Sequence, residues 1–171
     1  MVRDLCLLMD ASGDLKIFCA PFEHIHPSAR FVLVGITVGR TQMDNANNEA
    51  RRALRSGRSR PEAIQAAKRV GAFSGEPLRS NLVNPENQCG FHRWLGLAHL
   101  ADMFSTSRLL VQTTSLLRYP VFVKNDDYRG SPDMTKRSVL ANTCWRTFRR
   151  RPSEVSGGPC SSGSGPSAIG G

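Results

Sequence analysis

The sequence has no apolar run that approaches the roughly 20 residues needed to cross a bilayer. Near the N-terminus, Asp4 and Asp10 flank an apolar stretch that is too short for a secretory signal. These absences predict a cytoplasmic protein without a membrane partner. The chain has 171 residues and 40% apolar content, which is enough for one globular domain with a substantial core.

Paired cysteines are also missing. The chain has 5 cysteines at irregular spacing, and no two of them form a C-x-x-C pair. The sequence therefore indicates neither a disulfide framework nor a zinc or iron–sulfur site. We expect no metal and no cofactor.

Acidic residues are scarce relative to basic ones. The chain has 14 Asp and Glu against 23 Lys and Arg, a net charge of +9. A basic surface favours a polyanionic partner because it displaces the counterions of phosphate groups. From Thr135 onward there are 6 basic residues and 1 acidic residue, so +5 of the charge lies in this tail. Such a run is commonly a solvated surface, and it gives nucleic acid only modest support.

A loop with two glycines follows the most apolar segment of the chain. Residues 31–36 are typical of a central strand in a covered sheet, and Gly35 and Gly39 bracket the turn after it. Open α/β sheets bind ligands at the carboxyl ends of such strands, and glycine permits close approach. Taken alone, the spacing is more typical of an ordinary strand-to-helix turn than of a ligand site. A nucleotide-binding α/β protein is a further alternative, although a P-loop lysine and a complete G-x-G-x-x-G are both absent.

Apolar periodicity predicts alternating strands and helices. We expect a helix at 3–9, a strand at 15–19, helices at 45–56 and 61–70, and a second main strand at 108–113. A helix at 78–83 should end before Pro85, because proline lacks a backbone donor and clashes with the preceding turn. Residues 124–132 are typical of a surface loop. Residues 135–171 are rich in Gly, Ser and Pro, and we expect them to form a disordered tail after a domain at 1–134.

Three segments together resemble the uracil-DNA glycosylase superfamily, in particular its divergent bacterial members. They are the strand and loop that end at Gln42, the sequence Ala72-Phe73-Ser74-Gly75, and residues 113–122. The resemblance covers about residues 20–134. It implies an α/β fold of three αβα layers with a mainly parallel central sheet. It also implies a monomeric enzyme that flips a damaged base, such as uracil, from DNA and hydrolyses its N-glycosidic bond.

The same resemblance assigns roles in a base pocket. Thr37 stands where relatives carry the Asp or Asn that positions the attacking water, Phe73 matches the ring that stacks on the base, and Thr114 matches the Asn that reads the uracil edge. A threonine hydroxyl carries no negative charge and cannot replace both contacts of an amide, so we expect weak or altered chemistry. Phe73 and Thr114 are equally typical of core packing and of a β-strand. The other base-binding residues implied are Gly35, Ile36 and Gly39.

Residues after the two main strands would contact DNA under this resemblance. They are Arg40, Gln42, Arg118 and Tyr119, and Tyr128 is a further candidate. Arg40 and Gln42 are equally typical of surface residues, and an isolated Arg or Tyr near a turn, as at Arg118, Tyr119 and Tyr128, is usually a capping or packing residue. His92 and His99 match no ligand or triad pattern.

The final His-Pro-Ser motif of the superfamily is absent after Met134. The sequence His26-Pro27-Ser28-Ala29 precedes the first main strand, and we set it aside as a coincidence, with circular permutation as the alternative. The tail composition is typical of a GC-rich gene translated out of frame. We therefore hypothesise that the frame was lost near Met134, which would remove a C-terminal strand and helix and leave a marginal, aggregation-prone core. A basic arm that binds DNA is the alternative for the tail, and a non-catalytic nucleic-acid-binding protein is the alternative for the whole chain.

Overall fold

The computed structural model describes residues 7–104 and 110–149. The elements in chain order are β1 (Leu8–Ser12), β2 (Leu15–Phe18), β3 (Phe31–Thr37), α1 (Arg40–Arg55), α2 (Arg60–Gly71), α3 (Leu78–Gln88), α4 (Phe91–Trp94), a 3-10 helix (Leu100–Phe104), β4 (Val111–Leu117), β5 (Val121–Val123), β6 (Asp126–Asp127) and α5 (Ser138–Arg149).

The strands form two sheets. β1, β2, β5 and β6 make an antiparallel sheet in that order, and β3 pairs with β4 in parallel. The fold is mixed α/β with one parallel strand pair. The predicted mainly parallel sheet is wrong for the described residues, because two-residue hairpin turns impose antiparallel pairing on β1–β2 and β5–β6, and β2 also pairs with β5 in antiparallel. The β5–β6 turn has positive φ at Lys124 (51°) and Asn125 (81°), as tight hairpins require.

Helices α1 and α2 pack closely because small side chains line their contact. Ala46 and Ala67 are both 0% exposed in the cluster that joins the two helices. Gly71 ends α2 against α1, where an added Cβ would lie 2.6 Å from the Cβ of Ala46. Both helices were predicted from periodicity, but α1 begins at Arg40, directly after the glycine loop, rather than at Asn45.

Helix α5 contradicts the prediction of a disordered tail over 138–149. Leu140 is 0% exposed, and Val139 and Cys144 pack against the same cluster. The arginine-rich composition of this region obscured the apolar face in the sequence analysis. The members of the cluster are Leu15, Ile17, Leu117, Tyr119, Val121, Tyr128 and Leu140. Residues 150–171 lie outside the described part of the chain.

Other element predictions also need correction. Residues 8–12 are strand β1 rather than helix, because they form a hairpin with β2, and residues 1–6 lie outside the described part. Helix α3 continues past Pro85 to Gln88, and the Pro85 carbonyl accepts the Cys89 N–H at 3.1 Å. The second main strand is β4 at 111–117, not 108–113. Tyr128, predicted in a surface loop, is 3% exposed, and its hydroxyl donates to the Pro132 carbonyl at 2.6 Å.

The two faces of the parallel pair differ in burial. Phe31, Leu33 and Val111 pack with an apolar cluster that includes Leu100 and Met103. Side chains on the opposite face of β3 are exposed: Val32 by 53%, Val34 by 48% and Ile36 by 52%. Parallel strands are usually covered on both faces. Among the residues that the structure describes, side chains cover only one face of the β3–β4 pair.

Cysteine chemistry departs from the sequence expectation. Cys19 is disulfide-bonded, whereas Cys89 and Cys144 have free thiols. The irregular spacing gave no indication of this bond, because cysteine proximity depends on tertiary contacts. Within residues 7–104 and 110–149, no helix is long and apolar enough to cross a bilayer, and no three acidic, His or Cys side chains gather as a metal site would require.

Candidate functional site

The candidate site lies at the carboxyl ends of β3 and β4. Gly35 pairs with Ser115, and Thr37 pairs with Leu117, so both strands end at the same edge. A pocket with a cavity volume of about 10 Å³, open to solvent on one side, lies here. We call it the strand-end pocket. Its lining residues are Phe22, Val38, Gln42, Lys68, Ala72, Thr113, Thr114, Ser115 and Arg118.

Phe73 lies against β3 and has an unusual backbone conformation. Its φ is +51°, a left-handed value that is rare for a bulky residue and typically costs about 1–3 kcal/mol. The Phe73 N–H donates to Gln42 Oε1 at 3.0 Å, and Arg79 Nε donates to the Phe73 carbonyl at 3.3 Å. An added Cβ at Gly35 would lie 3.3 Å from the tip of the Phe73 ring. Gly35 therefore leaves the space that the ring edge occupies.

The loop that carries Phe73 is fastened to α1 at a second point. Asn45 Nδ2 donates to Ser74 Oγ at 2.9 Å, and Ser74 Oγ donates to the Gly71 carbonyl at 2.8 Å. Gly75 has φ +91°, and an added Cβ there would lie 2.9 Å from the Thr41 methyl group. The first turns of α1 thus fix the position of the aromatic ring.

Hydroxyl groups are concentrated at this edge of the sheet. Thr113, Thr114 and Ser115 all line the pocket. Thr37 precedes Val38, another lining residue, and its Oγ1 is buried without a hydrogen-bond partner among the residues that the structure describes. A buried hydroxyl that makes no protein contact is costly unless a ligand or water satisfies it. Thr37 therefore has an unused donor and acceptor at the strand end.

Several residues predicted to contact DNA or the base lie elsewhere. The Ile36 side chain points to the exposed face of β3, away from the side that Phe73 covers. The Arg40 guanidinium lies 4.5 Å from the Phe122 ring centroid, and its Nη2 donates to the Asn125 carbonyl at 2.6 Å. Tyr119 is 8% exposed and its hydroxyl donates to Glu23 Oε1 at 3.0 Å. Burial makes Tyr119 a core residue, and we do not retain its predicted DNA contact.

Two other predicted residues take positioning roles. Gly39 is the N-cap of α1, where an added Cβ would lie 2.8 Å from Asp127 Oδ2. Asp127 Oδ1 accepts the Arg40 N–H at 3.0 Å and so caps the helix. Gln42, predicted to contact DNA, holds the Phe73 backbone and also lines the pocket. Arg118 and Thr114 both line the pocket, so the structure brings these two predicted residues together.

Lys68 is a buried amine that the sequence analysis missed. It is 4% exposed, lines the strand-end pocket, and donates from Nζ to the His24 carbonyl. Burial lowers the pKa of Lys68 to about 7, with a further lowering by Arg118 that Glu23 partly opposes. Its position in an amphipathic helix gave no sequence signal, because charged residues occur throughout α2.

A pair of histidines lies beside Lys68. His24 Nε2 and His26 Nδ1 are 3.4 Å apart. Burial, followed by the charges of His26 and Lys68, lowers the pKa of His24 to about 4, and burial and Lys68 also lower the pKa of His26. His26 lines a second opening, the side pocket, which shares Lys68, Ala72 and Thr113 with the strand-end pocket. The His26-Pro27-Ser28 sequence was set aside for its position in the chain, yet it reaches this site.

The buried amine predicts a pH-dependent stability. Between about pH 7 and pH 10.5, the unfolded chain binds a proton at Lys68 that the folded chain lacks. The free energy of unfolding should therefore rise with pH in this window, by at most about 1.4 kcal/mol per pH unit. The titratable and charged groups around Lys68 are Glu23, His24, His26 and Arg118. The pKa values of both histidines are lowered and lie below the range from pH 7 to pH 10.5.

Urea unfolding across this pH range measures the effect. Lys68→Met should remove the slope, whereas Lys124→Met, at an exposed lysine, should retain it. A wild-type unfolding free energy that stays level or falls between about pH 7 and pH 10 would show that the buried amine is protonated.

Comparison with known proteins adds one relative. A Bacillus subtilis (strain 168) protein named "Uncharacterized protein YoxB" is 31% identical over 147 residues, which are 85% of this chain and 57% of the relative. The chain therefore spans little more than half the length of that relative. No family model matches the chain, and no solved structure matches it significantly.

The extent of this match bears on the hypothesis of a lost reading frame. A match over 85% of 171 residues cannot lie within the first 134, so it continues past Met134. Helix α5 packs into the core over part of the same region. Both observations contradict a loss of frame near Met134. The similarity to YoxB thus includes residues on both sides of this point.

Proposed function

We propose that this chain is a DNA N-glycosylase of the uracil-DNA glycosylase type, with slow chemistry. In this proposal a damaged base, such as uracil, leaves the duplex and binds at the mouth of the strand-end pocket, where water attacks the sugar as the base departs. The proposal includes a three-layer αβα arrangement around the parallel pair. The exposed Val32, Val34 and Ile36 face supports a further layer there, because parallel strands are usually covered on both sides.

The observation that carries the proposal is the placement of Phe73. A strained backbone conformation is retained in proteins where surrounding contacts enforce it, and such residues cluster at functional sites. Here Gln42 and Arg79 hold the backbone of Phe73, while Gly35 leaves room for the ring at the end of a parallel strand. Phe73 is partly buried against an apolar cluster, and an aromatic ring fixed at this strand end provides a stacking surface for a base.

The remaining groups supply polar recognition. Thr113 and Ser115 offer hydroxyls that donate or accept on the face of β4 beside Leu33 and Gly35, whereas Thr114 pairs with Val34 and its side chain lies on the opposite face. Lys68 and Arg118 bring basic side chains to the same pocket, which favours an anionic ligand such as the DNA backbone. Thr37 has a free hydroxyl that can hold the attacking water.

The second candidate is a nucleic-acid-binding protein without catalysis. The specific observation that favours it is Thr37, whose hydroxyl cannot act as a base at neutral pH or stabilise a cationic sugar as a carboxylate does. The pocket and its basic residues would then bind an extruded base and leave its glycosidic bond intact.

Single-turnover assays on labelled oligonucleotides with one deoxyuridine test the proposal. Strand cleavage after alkali reports base removal, and fluorescence anisotropy reports binding. Phe73→Ala should weaken base engagement by about 1–3 kcal/mol, or roughly 5- to 150-fold. The matched control is Trp94→Ala, which removes an aromatic ring that is 64% exposed.

The outcomes separate the two candidates. Alkali-labile sites that require Phe73 support the glycosylase. Binding that requires Phe73 but yields no abasic sites, across single- and double-stranded substrates with uracil or other damaged bases, supports the non-catalytic protein. Equal effects of the Phe73 and Trp94 substitutions would contradict both candidates.

A further inference from the structure

We propose that Lys68 forms a covalent Schiff base with the aldehyde of an abasic deoxyribose in the strand-end pocket. This inference deepens the proposed function and rests on it, since it assigns a second activity, β-lyase chemistry, to the same pocket. Its substrate class is DNA that contains an abasic site, and the reacting atom of the protein is Lys68 Nζ.

The geometry singles out this lysine. Lys68 is 4% exposed and lines both the strand-end pocket and the side pocket, so it lies between the two openings. The hydrogen bond to the His24 carbonyl fixes the position of Nζ. A neutral amine can donate this hydrogen bond and keep its lone pair for a ligand.

The environment also favours the reactive form. A lysine becomes nucleophilic when burial and neighbouring cations disfavour its protonated state. Burial and the Arg118 charge act in this direction on Lys68, and its pKa falls to about 7. The Glu23 carboxylate acts in the opposite direction and raises the pKa of Lys68. This carboxylate accepts a hydrogen bond from the Tyr119 hydroxyl. The amine is thus partly neutral at physiological pH.

The reaction is balanced without a redox partner. The Lys68 Nζ lone pair attacks C1′ of the ring-opened sugar, and the carbinolamine loses water to give an imine. Loss of a C2′ proton to water then breaks the C3′–O bond, and the 3′-phosphate leaves with the bonding electrons. Hydrolysis of the imine restores the amine and releases an unsaturated aldehyde.

Borohydride trapping tests this step directly. The full chain is mixed with an oligonucleotide that carries a preformed abasic site, and sodium borohydride reduces any imine to a stable secondary amine. We expect a covalent protein–DNA adduct whose peptide map places the modification on Lys68. A tetrahydrofuran analogue, which lacks the aldehyde, should give no adduct.

Variants distinguish Lys68 from the other lysines, Lys16, Lys124 and Lys136. Lys68→Arg retains a long cationic side chain but cannot form the imine, so the adduct should be lost. Lys124→Arg, at a side chain that is 75% exposed, should retain it. Absence of an adduct on the wild-type chain, or its placement on another amine, overturns the inference. Peptide mapping on the wild type decides this even if Lys68→Arg fails to fold.

The preformed abasic site separates this inference from the proposed function. An adduct with abasic DNA together with no alkali-labile product from deoxyuridine DNA would retain Lys68 as a nucleophile and reject the glycosylase. Base removal from deoxyuridine DNA together with no adduct would retain the glycosylase and reject the role of Lys68.

Discussion

Leu140→Ala is expected to lower the free energy of unfolding by about 2–5 kcal/mol, as truncation of a buried leucine does. Leu140 is 0% exposed and packs with residues of β2, β4 and β5. The substitution leaves a cavity where α5 meets the sheet. Because domains of this size are stable by about 5–15 kcal/mol, the loss would be a large share of the total.

Urea unfolding at constant pH measures the change. Asn142→Ala is the matched control, since Asn142 is exposed on the same helix and its truncation should change stability by less than about 0.5 kcal/mol. Equal stability of the two variants would mean that α5 does not pack as described and that the tail is dispensable for folding.

If the proposed glycosylase function holds, Thr37→Asp is expected to raise the single-turnover rate of base removal by about 10²-fold, at the lower end of what general acid–base catalysis contributes. The present hydroxyl can hold a water but cannot take its proton at neutral pH. A carboxylate at the same strand end could do so, and it would also stabilise positive charge on the sugar. The unpartnered Oγ1 of Thr37 marks the position at which the new group would act.

Two further substitutions control for shape and polarity. Thr37→Asn supplies an amide of similar size without a basic group and should not reproduce the gain. Thr37→Val removes the hydroxyl; it should slow base removal while leaving stability unchanged or higher, because a buried unsatisfied polar atom is lost. A folded Thr37→Asp protein that is no faster than Thr37→Asn would contradict the role of this position.

The candidate site was only partly predictable from the sequence. The strand and glycine loop placed Gly35 and Thr37 correctly at a sheet edge, and Thr114, Gln42 and Arg118 line the pocket there. Lys68 could not be predicted, because its burial depends on the segment that carries His24, which is remote in the chain. Tyr119 was misjudged because an aromatic residue near a turn has the same local signal whether it packs inside or faces solvent.

The sequence by itself determined the elements whose signals are local. The apolar run at 31–36 specified β3, and apolar periodicity with the Ser59-Arg60-Pro61-Glu62 start specified α2. Tertiary structure decided the parallel pairing of β3 with β4, the contact of Phe73 with Gly35, and the packing of α5 through Leu140. Each of these joins residues far apart in the chain, and such contacts depend on the burial of whole surfaces, for which no short segment carries a signal.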